Sequence, residues 1–526
     1  MNSYGQLEIE RSETQVTMQS FQLGEHASTV PITSYNTQEW QKGYRSLDQE
    51  YDYWIDEIEG QIPPELNGTL FRNGPGRLDV NGQRIQHPFD GDGMVCAIAI
   101  KDGRAHFRNR FVRTEGYVAE QQAGRILYRG VFGTQKPGGW LANAFDTKIK
   151  NIANTQILYW GGKLLALWEA AEPYRLDPRT LETLGQEYFD GALQPSAPFA
   201  AHPWIDPASQ FDAGAPCLVN FAIKAGLSFT INIYELDLKG AIVRQHNHPV
   251  PGFAFIHDFA ITPNYCIFFQ NPVAFNPVPF LMGTRSPGEC IKFQPNKPTR
   301  VIVIPRDVAS RPKPIILETQ SGFVFHHANA YEQEGEIVID SICYENLPAV
   351  KVGADYRETD FAALAPGQLW RFRMNLETKA VDRQLVEPRC CEFPFIHPAK
   401  AGREHRYVYL GAAHTAQGNA PLQAILKVDL KSEHRQIWSA APDGYVGEPV
   451  FVPRELPGAS GLYTQVEGDE DDGWLLTMVY DSQHDRTDVV ILDAKDLEKG
   501  AIARLHLKHH VPYGLHGSFT PHYFES

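Results

Sequence analysis

The segment YRLDPRT (174–180) sets a strand-forming run against a polar turn that opens on Asp177. The same arrangement returns as YELDLKG (234–240), RFRMNLET (371–378), LKVDLKS (426–432) and VILDAKD (490–496). The turn residues Asp177, Asp237, Asn375, Asp429 and Asp493 are separated by 60, 138, 54 and 64 positions, and 138 is close to two steps of 69. A period in the low sixties is long for a minimal four-stranded propeller blade, but it suits a blade that carries loop insertions. The 526 residues leave room for seven or eight such units.

Outward from these repeats the pattern stays β. Short alternating or apolar runs occupy 94–100, 105–112, 164–168, 369–375, 407–410, 424–430, 474–480 and 488–493. Two pairs of runs are joined by tight turn signals, Lys101-Asp102-Gly103-Arg104 and Gly161-Gly162-Lys163. The 43 Gly and 37 Pro are spread along the chain rather than gathered into a linker. Helical periodicity is scarce, with 38–44 and 360–365 the best short candidates. The expectation is an all-β propeller: residues 1–40 as a flexible polar N-terminal segment and 41–526 as one catalytic domain.

Composition narrows the function. With 48 Lys+Arg against 63 Asp+Glu the net charge is −15, which disfavours nucleic acid and polybasic attachment to anionic lipid. Hydrophobic residues at 43% and charged residues at 21% exclude disorder as the main state. The 7 cysteines form no CxxC pair, and Cys390 and Cys391 are adjacent, which suits a reducing compartment. With no apolar signal segment and no spanning run, the expected location is cytoplasmic.

Of the 19 His, four sit in apolar or Gly/Pro-marked segments: His202 in PFAAHPWIDP, His257 in FAFIHDFAIT, His326 in FVFHHANAYE and His516 in PYGLHGSF. Glu392 in RCCEFPFIHP and Glu448 in VGEPVFVP sit in equally apolar settings. In order, His202, His257, His326, Glu392, Glu448 and His516 are spaced by 55, 69, 66, 56 and 68. One buried polar residue per repeat is what a propeller yields when each innermost strand aims one side chain at the axis. Glu169 in LLALWEAAEPY lies 33 residues before His202, off the period. Four imidazoles without a thiolate suit a first-row divalent ion, and buried glutamates can fix the second ring nitrogens. Non-haem iron open to dioxygen and zinc acting on water are the two candidates, though four His would crowd a tetrahedral catalytic zinc.

These segments resemble the carotenoid cleavage oxygenase family, from about residue 44 to 524. The resemblance is carried by LNGTLFRNGPGR (66–77), HPFDGDGM (87–94), LLALWEA (164–170), AHPWIDP (201–207), FIHDFAIT (255–262), FHHANAYE (325–332), CCEFP (390–394), GEPVFVPR (447–454), EDDGWLL (470–476) and LHG (515–517). It implies a seven-bladed β-propeller with a helical and loop cap over an axial Fe(2+) held by His202, His257, His326 and His516. His326 rather than His327 matches the family ligand. Glu169, Glu392 and Glu448 match the glutamates behind the ligands, and Thr155 in NIANTQ matches the threonine beside the iron.

The implied reaction is cleavage of a polyene double bond by O2. The closest correspondence is to members that cut the central 15,15' bond of apocarotenals, such as 8'-apocarotenal, to retinal and a shorter dialdehyde. A relative acting on another polyene or stilbene bond, and a retinoid isomerohydrolase, share the metal motifs. The apolar loops NPVAFNPVPFLMG (271–283) and GGWLANAF (138–145) suggest a substrate-tunnel mouth that dips into the membrane surface. They would act through Trp140, Leu141, Phe275, Phe280, Leu281 and Met282.

Overall fold

The computed structural model describes residues 35–525 apart from 225–228, 308–312, 348–351 and the single positions 456, 459 and 467. Of the expected N-terminal segment, residues 1–34 lie outside the described residues. Positions 37–42 form a helix capped by the Asn36 side chain, and Trp40 is buried against Tyr445 and Tyr480. The packed body therefore begins ahead of residue 41.

Seven large sheets, each of four to six antiparallel strands, form the blades. Numbered along the chain, blade 1 runs outward from Gly517–Thr520 through Gly68–Arg77, Asp92–Lys101 and Arg104–Phe111 to Asp52–Trp54. Blades 2 to 6 open on the inner strands Gln156–Trp160, Trp204–Asp206, Ala260–Ile261, Phe323–Gln333 and Cys391–Phe395. Blade 7 has a divided inner edge, Gly444–Val446 and Val450–Pro453, both paired with Gly473–Asp481.

The repeat that opened the sequence reading is one turn used five times, between the third and fourth strands of blades 2, 3, 5, 6 and 7. Asp177 accepts from the N–H groups of Arg179 and Thr180, and Asp237 from those of Lys239 and Ala241. Asn375, Asp429 and Asp493 cap their own turns in the same way. The two tight turns have the left-handed backbone that matches strand twist, with φ +50° and +72° at Asp102 and Gly103 and +56° and +77° at Gly161 and Gly162.

Ring closure depends on pairing across 445 to 451 residues of sequence: Thr69 with Thr520, Leu70 with Phe519, Phe71 with Ser518 and Arg72 with Gly517. Closure removes the exposed strand edges that an open array would leave. Blades 1 and 7 share one apolar cluster, in which Leu70, Ile98 and Phe107 pack with Trp474, Leu476 and Ile491. Gly517 is required at the seam, because a Cβ there would lie 2.3 Å from the Phe71 carbonyl and 2.5 Å from Arg72 Cδ. Gly517→Ala is expected to destabilise the chain by about 1–3 kcal/mol, read as a lower urea midpoint.

Candidate metal centre

Each inner strand delivers one polar residue to the axis at a point where regular pairing has not begun or is broken. His202, His257 and His516 immediately precede, or lie a few residues before, the inner strands of blades 3, 4 and 1. His326 sits in a bulge, between Val324 paired with Cys343 and His327 paired with Ser341. Glu392 is followed by another irregularity, with Phe393 at φ +55°. Glu448 lies in the gap of blade 7's divided edge. Bulges re-aim a side chain out of the sheet's alternation, and here they aim it at the axis. Blade 2 contributes Thr155, just before Gln156–Trp160. The periodic series therefore has its seventh member at Thr155, 47 residues before His202, and Glu169 lies off the period because it follows the second strand of that blade, Lys163–Leu167.

One nitrogen from each of His202, His257, His326 and His516 can be chosen so that all lie within 4.8 Å of one another. The Nε2 atoms of His202 and His257 are 2.9 Å apart. Three of the rings are held from behind through Nδ1: His257 by Glu169 at 2.6 Å, His326 by Glu392 at 2.5 Å and His516 by Glu448 at 2.8 Å. Fixing Nδ1 leaves Nε2 directed inward, and Nε2 of His326 is buried with no hydrogen-bond partner. His202 has no carboxylate behind it among the described residues. His327 is turned away, its Nδ1 on the Ser341 hydroxyl at 2.7 Å and its backbone N–H donating to Asp258.

The electrostatics fit a cation. Burial, reinforced by the three neighbouring rings, pushes His202 well below the usual imidazole range, and burial brings His516 down to about 4. Burial opposes protonation of His326 too, but the adjacent Glu392 carboxylate outweighs it and raises that ring. Glu392 and Glu448 are held below the usual carboxylate range despite burial, by His326 and by His516 with Arg72 respectively. The result is neutral imidazole donors at His202 and His516 beside ionised carboxylates at Glu392 and Glu448, as a divalent first-row ion requires.

The sequence reading missed two residues behind the glutamates. Arg72 Nη1 lies 2.5 Å from Glu448 Oε2, and its Nη2 donates to the Leu515 carbonyl at 3.0 Å. Tyr344 donates its hydroxyl to Glu392 Oε1 at 2.8 Å. Arg72 stands in the quoted FRNGPGR segment, but its partner is 376 positions away, so no local pattern could reveal it.

A cavity of about 450 Å³ meets the imidazoles on one side, touching Thr155, Glu169, His257, His326 and His516. Its approach is aromatic, through Trp40, Phe89, Phe132, Phe255, Phe325 and Phe361. Trp40, Phe89 and Phe361 come from the cap, on the 37–42 helix and the single turns Pro88–Asp90 and Phe361–Ala363, while Phe325 stands on the inner strand of blade 5. The Thr155 hydroxyl is committed to Asn154 at 3.1 Å.

None of the six residues expected at the tunnel mouth lines this cavity. The helices Gly139–Asn143 and Pro277–Leu281 instead meet at the surface, joined by the Phe145 N–H on the Leu281 carbonyl at 2.7 Å. Trp140, Leu141, Leu281 and Met282 are exposed there, with Phe145 and Val278. Phe275 stacks on Phe253, and Phe280 covers the guanidinium of fully buried Arg129 at 4.2 Å. Their rings pack inward because Arg129 draws both loops down, bonding the carbonyls of Asn143, Asp146, Phe280 and Arg285.

Residues 44–521 match the family profile described as retinal pigment epithelial membrane protein. The chain is 54% identical over 488 residues to the apocarotenoid-15,15'-oxygenase of Synechocystis, covering 93% of this chain and 97% of that protein. It is 30% identical to the isoeugenol monooxygenase of Pseudomonas nitroreducens, over 90% of this chain and 95% of that one. A crystal structure of the cobalt-substituted Synechocystis apocarotenoid oxygenase superposes with a TM-score of 0.89 at 54% identity, covering 92% of this chain and 99% of that one. The seven-bladed ring, its four converging imidazoles and these matches together show that the chain belongs to the retinal pigment epithelial membrane protein family, that of the carotenoid oxygenases.

Proposed function

We propose that this chain is a non-haem Fe(II) dioxygenase that cleaves the 15,15' double bond of apocarotenals with O2, giving retinal and a shorter dialdehyde. The observation that carries the reading is the junction of a four-imidazole cluster with an aromatic-walled cavity. The reading is supported by the 54% identity to an apocarotenoid-15,15'-oxygenase along nearly the whole chain. That a relative's structure is cobalt-substituted further supports a divalent ion at this centre.

His202, His257, His326 and His516 would hold the iron, which supplies one-electron chemistry toward O2 at the positions the protein leaves open. The remaining work falls to the chain's own groups. Glu169, Glu392 and Glu448 fix the ring tautomers and orientations, so the donor nitrogens need no rearrangement on binding. The aromatic walls exclude water and align a rigid, flat polyene, which converts recognition into positioning of one double bond. Thr155, its hydroxyl turned to Asn154, narrows the cavity beside the cluster. Both oxygen atoms of O2 end in the two new carbonyls, so no proton donor is required.

The test is incubation of purified protein with 8'-apocarotenal in an oxygen electrode, with product identification. Retinal and dialdehyde in equal amounts, with one O2 consumed per cleavage, are expected. Isomerised retinoid without O2 uptake, or cleavage at another bond, would overturn the reading.

Substrate supply points to a membrane surface. No helix among the described residues is long and apolar enough to cross a membrane. The exposed patch of Trp140, Leu141, Phe145, Val278, Leu281 and Met282 suits shallow insertion beside the headgroups. Burying each such side chain contributes about 1.5–3 kcal/mol. Replacing Leu141 and Leu281 together by glutamate is therefore expected to reduce co-flotation with liposomes at least about tenfold. Cleavage of detergent-solubilised substrate should be unchanged.

A further inference from the structure

We propose that a second cavity, of about 390 Å³, is the path by which the metal ion reaches the four histidines. The inference rests on the metal-dependent reading above. The two cavities approach the cluster from opposite sides. Along the inner strands of blades 1, 2, 4, 5 and 7 the aromatic cavity touches residues at or before the axial position, and the second touches residues at or beyond it, while in blade 6 Phe393 lines both. The contrast is Thr155 against Gln156 and Leu158 in blade 2, and Phe325 against His327 and Ala328 in blade 5. In blade 7 it is Gly447 against Val450 and Phe451, and in blade 1 Leu515 against Gly517 to Thr520. Inner strands run in one direction around a propeller, so the second cavity descends the axis toward the other face of the ring. There it ends among exposed Gly162, Leu238, Ser460 and His522.

The walls differ in what they offer a hydrated dication. An ion entering past Trp40, Phe89, Phe132 and Phe361 would give up water against aromatic faces, an expensive desolvation. The axial cavity presents His522 at the rim and His327 and Asp258 further in, so water can be exchanged stepwise for nitrogen and oxygen donors. His202, absent from the wall of the aromatic cavity, lines this one, and it is the imidazole with no carboxylate behind it. A separate route also spares the aromatic entrance at Trp40, Phe89, Phe132 and Phe361 from having to carry metal ligands. A ring sealed by the pairing of Gly68–Arg77 with Gly517–Thr520 cannot admit the ion by parting those strands without unzipping the seam.

The seven cysteines are all buried, so one added at the rim can be labelled selectively after folding. Ser460→Cys and Leu238→Cys, which stand in different loops of the rim, are each coupled to a bulky maleimide. Cobalt(II) uptake by the metal-free full chain is then followed by its visible absorption, and release by transfer to EDTA. The label is expected to slow uptake and release at least tenfold and by the same factor, leaving equilibrium occupancy unchanged. A plug alters the barrier and not the end states, whereas damage to the ligands alters occupancy. Unlabelled variants should load at the parental rate. Uptake unaffected by complete labelling at both positions would overturn the route, as would a loss of occupancy without a change in rate. If the unmodified chain bound no cobalt at all, the metal-centre reading itself would fall.

Discussion

His257→Ala is expected to yield a folded chain that retains almost no iron and cleaves no apocarotenal. The ring supplies one of four converging donors, and its removal also strips Glu169 of the partner it holds at 2.6 Å. Loss of an outer hydrogen-bond partner alone costs metal sites about 10–100-fold, so loss of a ligand should exceed about 100-fold in affinity or turnover. Folding should survive, because the Glu169 side chain keeps 23% of its exposure and its carboxylate can be hydrated. Metal content by mass spectrometry and the far-ultraviolet circular dichroism spectrum separate the two effects. A variant with full iron and full activity would remove His257 from the ligand set.

Arg72→Ala should produce the largest loss of stability. Arg72 and Glu448 are buried, with side chains 4% and 7% exposed, and the guanidinium also binds the carbonyl just before His516. Deleting one member of a buried pair leaves an uncompensated charge, at a cost of about 3–5 kcal/mol. Urea unfolding of the metal-free chain reads that cost. Glu448 would still face His516 Nδ1 and the Gly517 N–H, so the carboxylate has no easy escape into water. A hydrophobic replacement of both partners, Arg72→Met with Glu448→Leu, should recover part of the stability, since well-packed apolar substitutes for buried pairs are often neutral. It should not recover metal affinity, because His516 loses the carboxylate that orients it. Recovery of both would show that the pair serves stability alone.

The parts of this molecule that the sequence disclosed are those built from local, repeated chemistry. Asp177, Asp237, Asn375, Asp429 and Asp493 mark the same turn in five blades because each satisfies backbone N–H groups two to four residues ahead. The axial residues were legible because a ring imposes one inward-facing position per repeat. The aromatic cavity was not legible. Trp40, Phe89, Phe132, Phe361 and Tyr513 come from five separate segments, and only the closed ring assembles them. Apolar, Pro-rich loops drew attention instead, but a loop rich in Phe and Leu can face solvent as readily as a tunnel. What separates the two is Arg129, whose bonds to four carbonyls across the 143–285 span turn Phe280 inward and leave Leu141 and Leu281 outside.

The seam between Gly68–Arg77 and Gly517–Thr520 also has a consequence in time. A ribosome delivers His202, His257 and His326 well before His516, and the strand that carries Arg72 waits for its partner through more than 440 residues of synthesis. Three imidazoles on an unclosed array are poor company for a redox-active ion, which could react with oxygen there unproductively. Placing the fourth donor beside the closing strand makes tight capture a property of finished chains. Closure of the ring and completion of the ligand set thus fall at the same point of synthesis, and a chain interrupted before His516 would lack both the seam and the fourth imidazole.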